Sequence, residues 1–167
     1  GNSWASDDGY FVLSLPFVFP YWRTAETSLH IGTNGYVTMG PGHYAYGNSL
    51  PIPTPGGSIG GVQLDGIIAL LWADLDPSSA ATDAGAGVYY FANSDMAVVS
   101  YVAIPYCCGA SSPANTFQGI FYPSGVMIMQ YQDLQQGGSQ SPSIGYENAD
   151  GTVGEQIARG WDEANAL

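Results

Sequence analysis

Apolar and polar positions alternate along most of this chain, the period of two that arises when successive side chains point to opposite faces of a β-strand. Residues 10–15 are apolar and aromatic up to Pro16, after which Phe17, Phe19, Tyr21 and Trp22 alternate around Pro20. Residues 27–31 and 36–39 flank Thr33-Asn34-Gly35, which predicts a hairpin or turn because Asn and Gly tolerate positive φ. Asn34 and Gly35 are accordingly given structural roles. Residues 66–72 are almost wholly apolar and predict a central strand buried on both faces, with Trp72 in the core.

Residues 88–91 and 96–104 predict a hairpin across Ala92-Asn93-Ser94-Asp95, and residues 116–122 and 126–131 a second one across Pro123-Ser124-Gly125. Phe117 is a core position of the second hairpin. Both faces of this second hairpin are substantially apolar, which places it in the interior and not at an edge. Residues 142–147 predict a short strand, residues 154–160 a last strand or one turn of helix, and residues 161–167 a helix too short to stand alone. Pro41, Pro51, Pro53 and Pro55 break residues 40–61 into a long surface loop, with Leu50 and Ile52 as its anchors. The sum is an all-β fold: an antiparallel β-sandwich of about seven to ten strands, jelly-roll or Greek-key-like, with long loops and a single domain over residues 1–167.

Charge narrows the function. Arg23 and Arg159 are the only cations against 14 acidic residues, a formal net charge of -12. Such a chain repels polyphosphate backbones and anionic lipid, which excludes nucleic-acid binding and docking on an acidic membrane. The longest apolar run is strand-sized, so no direct membrane insertion is expected. High negative charge with abundant Gly, Ser, Tyr and Asn suits a secreted or cell-surface protein, and serves equally as a solubility device.

Cys107-Cys108 are the only cysteines. Oxidised, they would form a vicinal disulfide that hardens one loop without stapling distant segments; reduced, one would be buried and the other incidental. Asp74, Asp76 and Asp83 are the candidate metal ligands, since carboxylates at a strand end offer oxygens to a hard cation such as Ca²⁺. They do not fit an EF-hand, whose glycine and final glutamate positions are Ser79 and Gly85 here. The alternative is that Asp74 caps backbone amides as the chain turns over Leu75.

Tyr44 and Tyr46 sit in the Gly/Pro loop where no hydrophobic period requires them, Tyr106 precedes the cysteines, and Trp4 lies outside the first strand. Such rings can stack on a sugar or anchor a protein partner, and they can also fold back as a lid. The predicted contact surface comprises His43, Tyr44, Tyr46, Tyr106, Cys107 and Cys108. Neither His30 nor His43 has a nucleophile motif beside it. A two-carboxylate glycosidase could be assembled from Asp74, Asp76, Glu147 or Glu155, as it could in any acidic β-protein.

The order of motifs resembles the nidogen-like extracellular family. The resemblance is carried by the ordered set Leu15-Pro16-Phe17-Val18-Phe19, Leu29-His30-Ile31-Gly32-Thr33-Asn34-Gly35-Tyr36-Val37-Thr38-Met39-Gly40, Leu50-Pro51-Ile52-Pro53, Ile68-Ala69-Leu70-Leu71-Trp72-Ala73-Asp74-Leu75-Asp76-Pro77, Gly87-Val88-Tyr89-Tyr90, Asn115-Thr116-Phe117-Gln118, Gly125-Val126-Met127-Ile128-Met129-Gln130-Tyr131 and Ser143-Ile144-Gly145-Tyr146-Glu147-Asn148-Ala149-Asp150-Gly151. It spans residues 10–160. It implies a secreted β-rich module of adhesive, matrix or multidomain surface proteins, usually without catalysis, whose members share no single ligand. The expectation is a non-catalytic recognition or adhesion module, part of a larger protein, that binds a glycan or an extracellular protein. The alternative is a purely structural or self-associating domain.

Overall fold

The computed structural model describes residues 6–48, 51–59, 62–79, 85–107, 113–137, 141–164 and 166–167, apart from the side chains at 58, 59, 62 and 63. Its strands are β1 (Tyr10–Tyr21), β2 (Thr24–Gly32), β3 (Tyr36–Thr38), β4 (Ser58–Ile59), β5 (Val62–Gln63), β6 (Ile67–Trp72), β7 (Gly87–Ala92), β8 (Ala97–Pro105), β9 (Ala114–Phe121), β10 (Met127–Asp133), β11 (Ser143–Glu147) and β12 (Gly154–Arg159). A single helical turn, α1 (Trp161–Ala164), follows. The architecture is all-β, with a six-stranded sheet in the order β1-β2-β3-β6-β11-β12 and a four-stranded sheet in the order β10-β9-β8-β7. Every pairing in both sheets is antiparallel.

The inward residues of both sheets meet in one apolar core, in which Leu29, Ile68 and Leu70 face Val99, Phe117 and Phe121. Tyr101 and Phe117 are stacked there, with ring centroids 4.6 Å apart. The Tyr101 hydroxyl satisfies itself across the sandwich by donating to the Gly32 carbonyl at 2.5 Å. All six residues of β6 are buried. One face meets the opposite sheet, while the other forms a second cluster in which Ile67, Ala69 and Trp72 are covered by Ala45, Ile52 and Leu64. The described parts of residues 40–64 therefore act as a strap across the outside of the larger sheet, and they contain the short β4/β5 ribbon where a plain loop was expected.

Two expectations are corrected. β1 runs through Pro16 and Pro20 and does not stop at the first proline. It can do so because it is an edge strand, and an irregularity between Ser14 and Phe19 absorbs the lost donors. β10, expected in the interior, is the edge of the four-stranded sheet, with Ile128 38% exposed. Its two apolar faces had suggested the reverse; the second one borders solvent and not another layer.

Candidate functional site

The strap is the first candidate. His43 and Ala45 are buried while Tyr44 and Tyr46 stand out at 58% and 56% exposure, the alternation of an extended segment lying flat on a sheet. His43 was expected on the contact surface. The alternation turns it inward, where burial, and then the neighbouring His30, hold its imidazole below the ordinary histidine value. Gly42 packs so closely on the Tyr10 ring that a β-carbon would overlap it, and Tyr10 itself is 40% exposed.

The described part of the strap is pinned at several points. The Thr38 hydroxyl donates to the Pro41 carbonyl at 2.8 Å, and Asn48 Nδ2 donates to the Trp72 carbonyl at 2.9 Å. The Ile52 amide donates to Gln156 Oε1 at 3.2 Å and the Thr54 amide to Glu147 Oε2 at 3.0 Å. Trp72, under the strap, meets Tyr36 edge to face at 5.8 Å. Tyrosines on so constrained a segment lose little conformational freedom when they meet a partner.

The second candidate is the acidic end, where β1 begins and β6 finishes. Asn34 organises it: its Nδ2 donates to Asp8 Oδ1 at 2.9 Å and its Oδ1 accepts from the Leu75 amide at 2.9 Å. Gly35 has φ +80°, and its carbonyl accepts from the amides of Leu70 and Leu71. These bonds bring Asp7 and Asp8 beside Asp74 and Asp76, a meeting invisible in the order of residues.

Burial would raise the Asp76 carboxyl, but the hydroxyls and amides of Ser78 and Ser79 outweigh it and hold the group below the usual carboxylate range. Asp76 is therefore the cap, the part expected of Asp74, and both its oxygens are engaged. Burial, and then Asp8 and Asp76, push the Asp74 carboxyl up. Asp7 is likewise raised by burial, then by Asp76, Asp8 and Asp74, and its Oδ1 is buried without a hydrogen-bond partner among the described residues.

Donor atoms of Asp7, Asp74 and Cys107 lie within 4.8 Å of one another. The set offers a cation two carboxylates, from Asp7 and Asp74, beside the Cys107 sulfur. Asp83 and Cys108 lie outside the described residues.

Tyr106 is corrected from a surface ring to a core one. It is 2% exposed, meets Trp161 edge to face at 5.6 Å, and has Gly137 pressed against its ring. The short bridge between Leu75 and Tyr106 fastens this segment to the end of β6 and turns the side chain inward. Trp4 and Leu50 fall outside the described residues.

A third site, unforeseen in the sequence, occupies the opposite end of the sandwich. Trp22 and Arg23 form the two-residue link between β1 and β2, which close at Tyr21↔Thr24. Trp22 has φ +54° and is 48% exposed. Its ring contacts those of Tyr21 and Tyr146, both at 6.4 Å. Together with Asn148, Asp150 and Thr152 it borders a groove of roughly 480 Å³. The available signal was a bulky aromatic beside one of only two cations at a tight turn.

The four carboxylates considered for glycoside hydrolysis divide between the two ends of the sandwich. Asp74 and Asp76 follow β6 at one end of the sandwich, whereas Glu147 ends β11 at the other. Tyr146 accompanies Glu155 on one face of the sheet, its hydroxyl donating to Glu155 Oε2 at 3.0 Å. Glu147 is the next residue along β11 and faces the strap on the other side, so the two glutamates cannot flank one bond. No helix among the described residues is long and apolar enough to cross a membrane.

A family model described as NIDO related matches residues 2–163. No curated protein and no solved structure matches the chain.

Proposed function

Because the chain belongs to the NIDO-related family, whose setting is that of an extracellular matrix-type module, we propose that it is a non-catalytic recognition module that docks an extracellular protein partner through Tyr44 and Tyr46. The observation that carries the reading is the pinned, alternating strap, which buries His43 and Ala45 and directs two tyrosines outward from a rigid sheet. Tyrosine gives large contact area at the cost of few rotors, and its hydroxyl keeps a partner when the ring is covered. A net charge of -12 favours a partner with basic groups around the aromatic contact. The module serves as one part of a larger secreted or cell-surface protein.

Two finer assignments belong to the same proposal. Cys107 and Cys108 close into a vicinal disulfide, since Cys107 has no free thiol and the chain has no other cysteine. Ca²⁺ binds weakly at the acidic end between Asp7 and Asp74, where it would relieve the carboxylate repulsion and engage the unpartnered Asp7 Oδ1.

The test is saturable binding of the chain to wells coated with decellularised matrix. Replacing both Tyr44 and Tyr46 by Ala is expected to weaken binding at least tenfold while leaving the melting temperature unchanged. Undiminished binding by that variant refutes the assignment. Concentration-dependent dimers in sedimentation velocity, with no matrix binding, would support the structural, self-associating alternative instead.

A further inference from the structure

Trp22 is the most anomalous residue in the fold. A two-residue hairpin link favours glycine or asparagine wherever φ is positive, yet a tryptophan occupies the first position at φ +54°. Backbone of this kind is unfavourable for a bulky side chain and is retained where surrounding structure and function demand it. The ring is not buried in return, being 48% exposed. Tyr21 meets it edge to face at an interplanar angle of 82°, and Tyr146 leans on it at 39°. The indole is thus braced from the protein side and open on the groove side.

Arg23 follows it, one of two cations in a chain with 14 acidic residues, and has no ion-pair partner among the described residues. Facing it across the groove, Asp150 Oδ1 accepts from the Thr152 amide at 3.2 Å and from the Thr152 hydroxyl at 2.5 Å. Asn148 accepts from the Val153 amide at 3.0 Å and donates to the Thr152 hydroxyl at 3.2 Å. These bonds lock the second wall of the groove, where the guanidinium donors of Arg23 and the spare lone pairs of the Asp150 carboxylate are placed to meet a ligand.

We propose that the groove between the Trp22-Arg23 hairpin link and the Asn148–Thr152 turn is a binding site for a neutral sugar ring, separate from the strap tyrosines. The indole face takes the C–H face of a pyranose, while Arg23 donates to, and Asp150 accepts from, adjacent ring hydroxyls. The volume of roughly 480 Å³ admits one or two sugar residues and leaves an open mouth for the rest of a chain. A carboxylated or sulfated glycan is disfavoured by the acid in the groove and by the net charge of -12. The site does not depend on the protein-docking role of the strap.

The test uses the whole chain on an array of neutral oligosaccharides, followed by calorimetric titration with the strongest ligand and proton–nitrogen NMR of the indole groups. Saturable binding is expected, with the indole resonance of Trp22 shifting and that of the buried Trp72 unmoved. Trp22→Gly suits the positive φ, so the fold is retained while the platform is lost. It is expected to weaken binding at least tenfold, and Arg23→Gln severalfold. The Tyr44→Ala/Tyr46→Ala variant is expected to bind the sugar like the parent, which separates this site from the strap. Absence of binding to every neutral glycan, or full binding by Trp22→Gly, overturns the proposal.

Discussion

Glu147→Gln should stabilise the protein at alkaline pH and leave it little changed under mild acid. Glu147 is 4% exposed, and it accepts from the Thr54 amide at 3.0 Å and from the Ile67 amide. Burial dominates nonetheless and, with Asp65 nearby, raises the carboxyl from its ordinary 4.5 to about 7. A folded-state value above the unfolded one means that the native protein holds the proton more tightly. The associated stability is complete below about 4.5 and is lost as pH rises through about 7.

A displacement of that size corresponds to about 3 kcal/mol at most. The amide in Gln still accepts from one backbone N–H, and forfeiting the other bond returns about 1 kcal/mol. The net gain expected for Glu147→Gln at pH 8 is therefore about 2 kcal/mol, falling toward zero or slightly below it at pH 5. Urea melts of parent and variant across this range measure the difference. His30 and His43, both held below the ordinary histidine value by burial, act in the opposite sense but are common to both proteins and cancel. A stability difference that does not change between pH 5 and pH 8 would refute the reasoning.

Gly35→Ala is expected to cost more than about 2 kcal/mol, because φ is +80° and the added carbon would collide with the Leu71 carbonyl; thermal denaturation reads the loss. Tyr106→Ala should cost about 3 kcal/mol in the same assay, since the ring is buried against Trp161, whereas Tyr44→Ala should stay within about 0.5 kcal/mol. Millimolar Ca²⁺ should raise the melting temperature of the parent and fail to do so for Asp74→Asn; an identical response in both would remove the calcium assignment. Intact mass after alkylation under denaturing, non-reducing conditions should show neither cysteine modified, and alkylation of both would exclude the vicinal ring.

The strands were legible in the sequence wherever hydrophobic period and turn chemistry agreed. Residues 66–72 carried the central strand because both of its faces are covered, and Thr33-Asn34-Gly35 carried the hairpin because its middle residues suit the turn. Edges were less legible. Nothing in the alternation of β10 distinguishes an apolar face against a layer from one against solvent, and nothing in β1 announces that its prolines lie on an unpaired side.

The sites were legible only in part, since they depend on contacts distant in sequence. Tyr44 and Tyr46 stood out because no core demanded them, but the inward turn of His43 follows from the sheet underneath. The inward turn of Tyr106 follows from Gly137 and Trp161, both far along the chain. Asp7 and Asp8 reach the acidic end through Asn34, a side chain that reads locally as an ordinary turn residue.

Hydroxyl-radical footprinting of the chain bound to decellularised matrix tests the central claim most directly. The account predicts that oxidation of Tyr44 and Tyr46 falls on binding, while Phe91, 54% exposed on the edge of the four-stranded sheet, is labelled as in the free protein. Bound protein in which both strap tyrosines remain as reactive as before would contradict it.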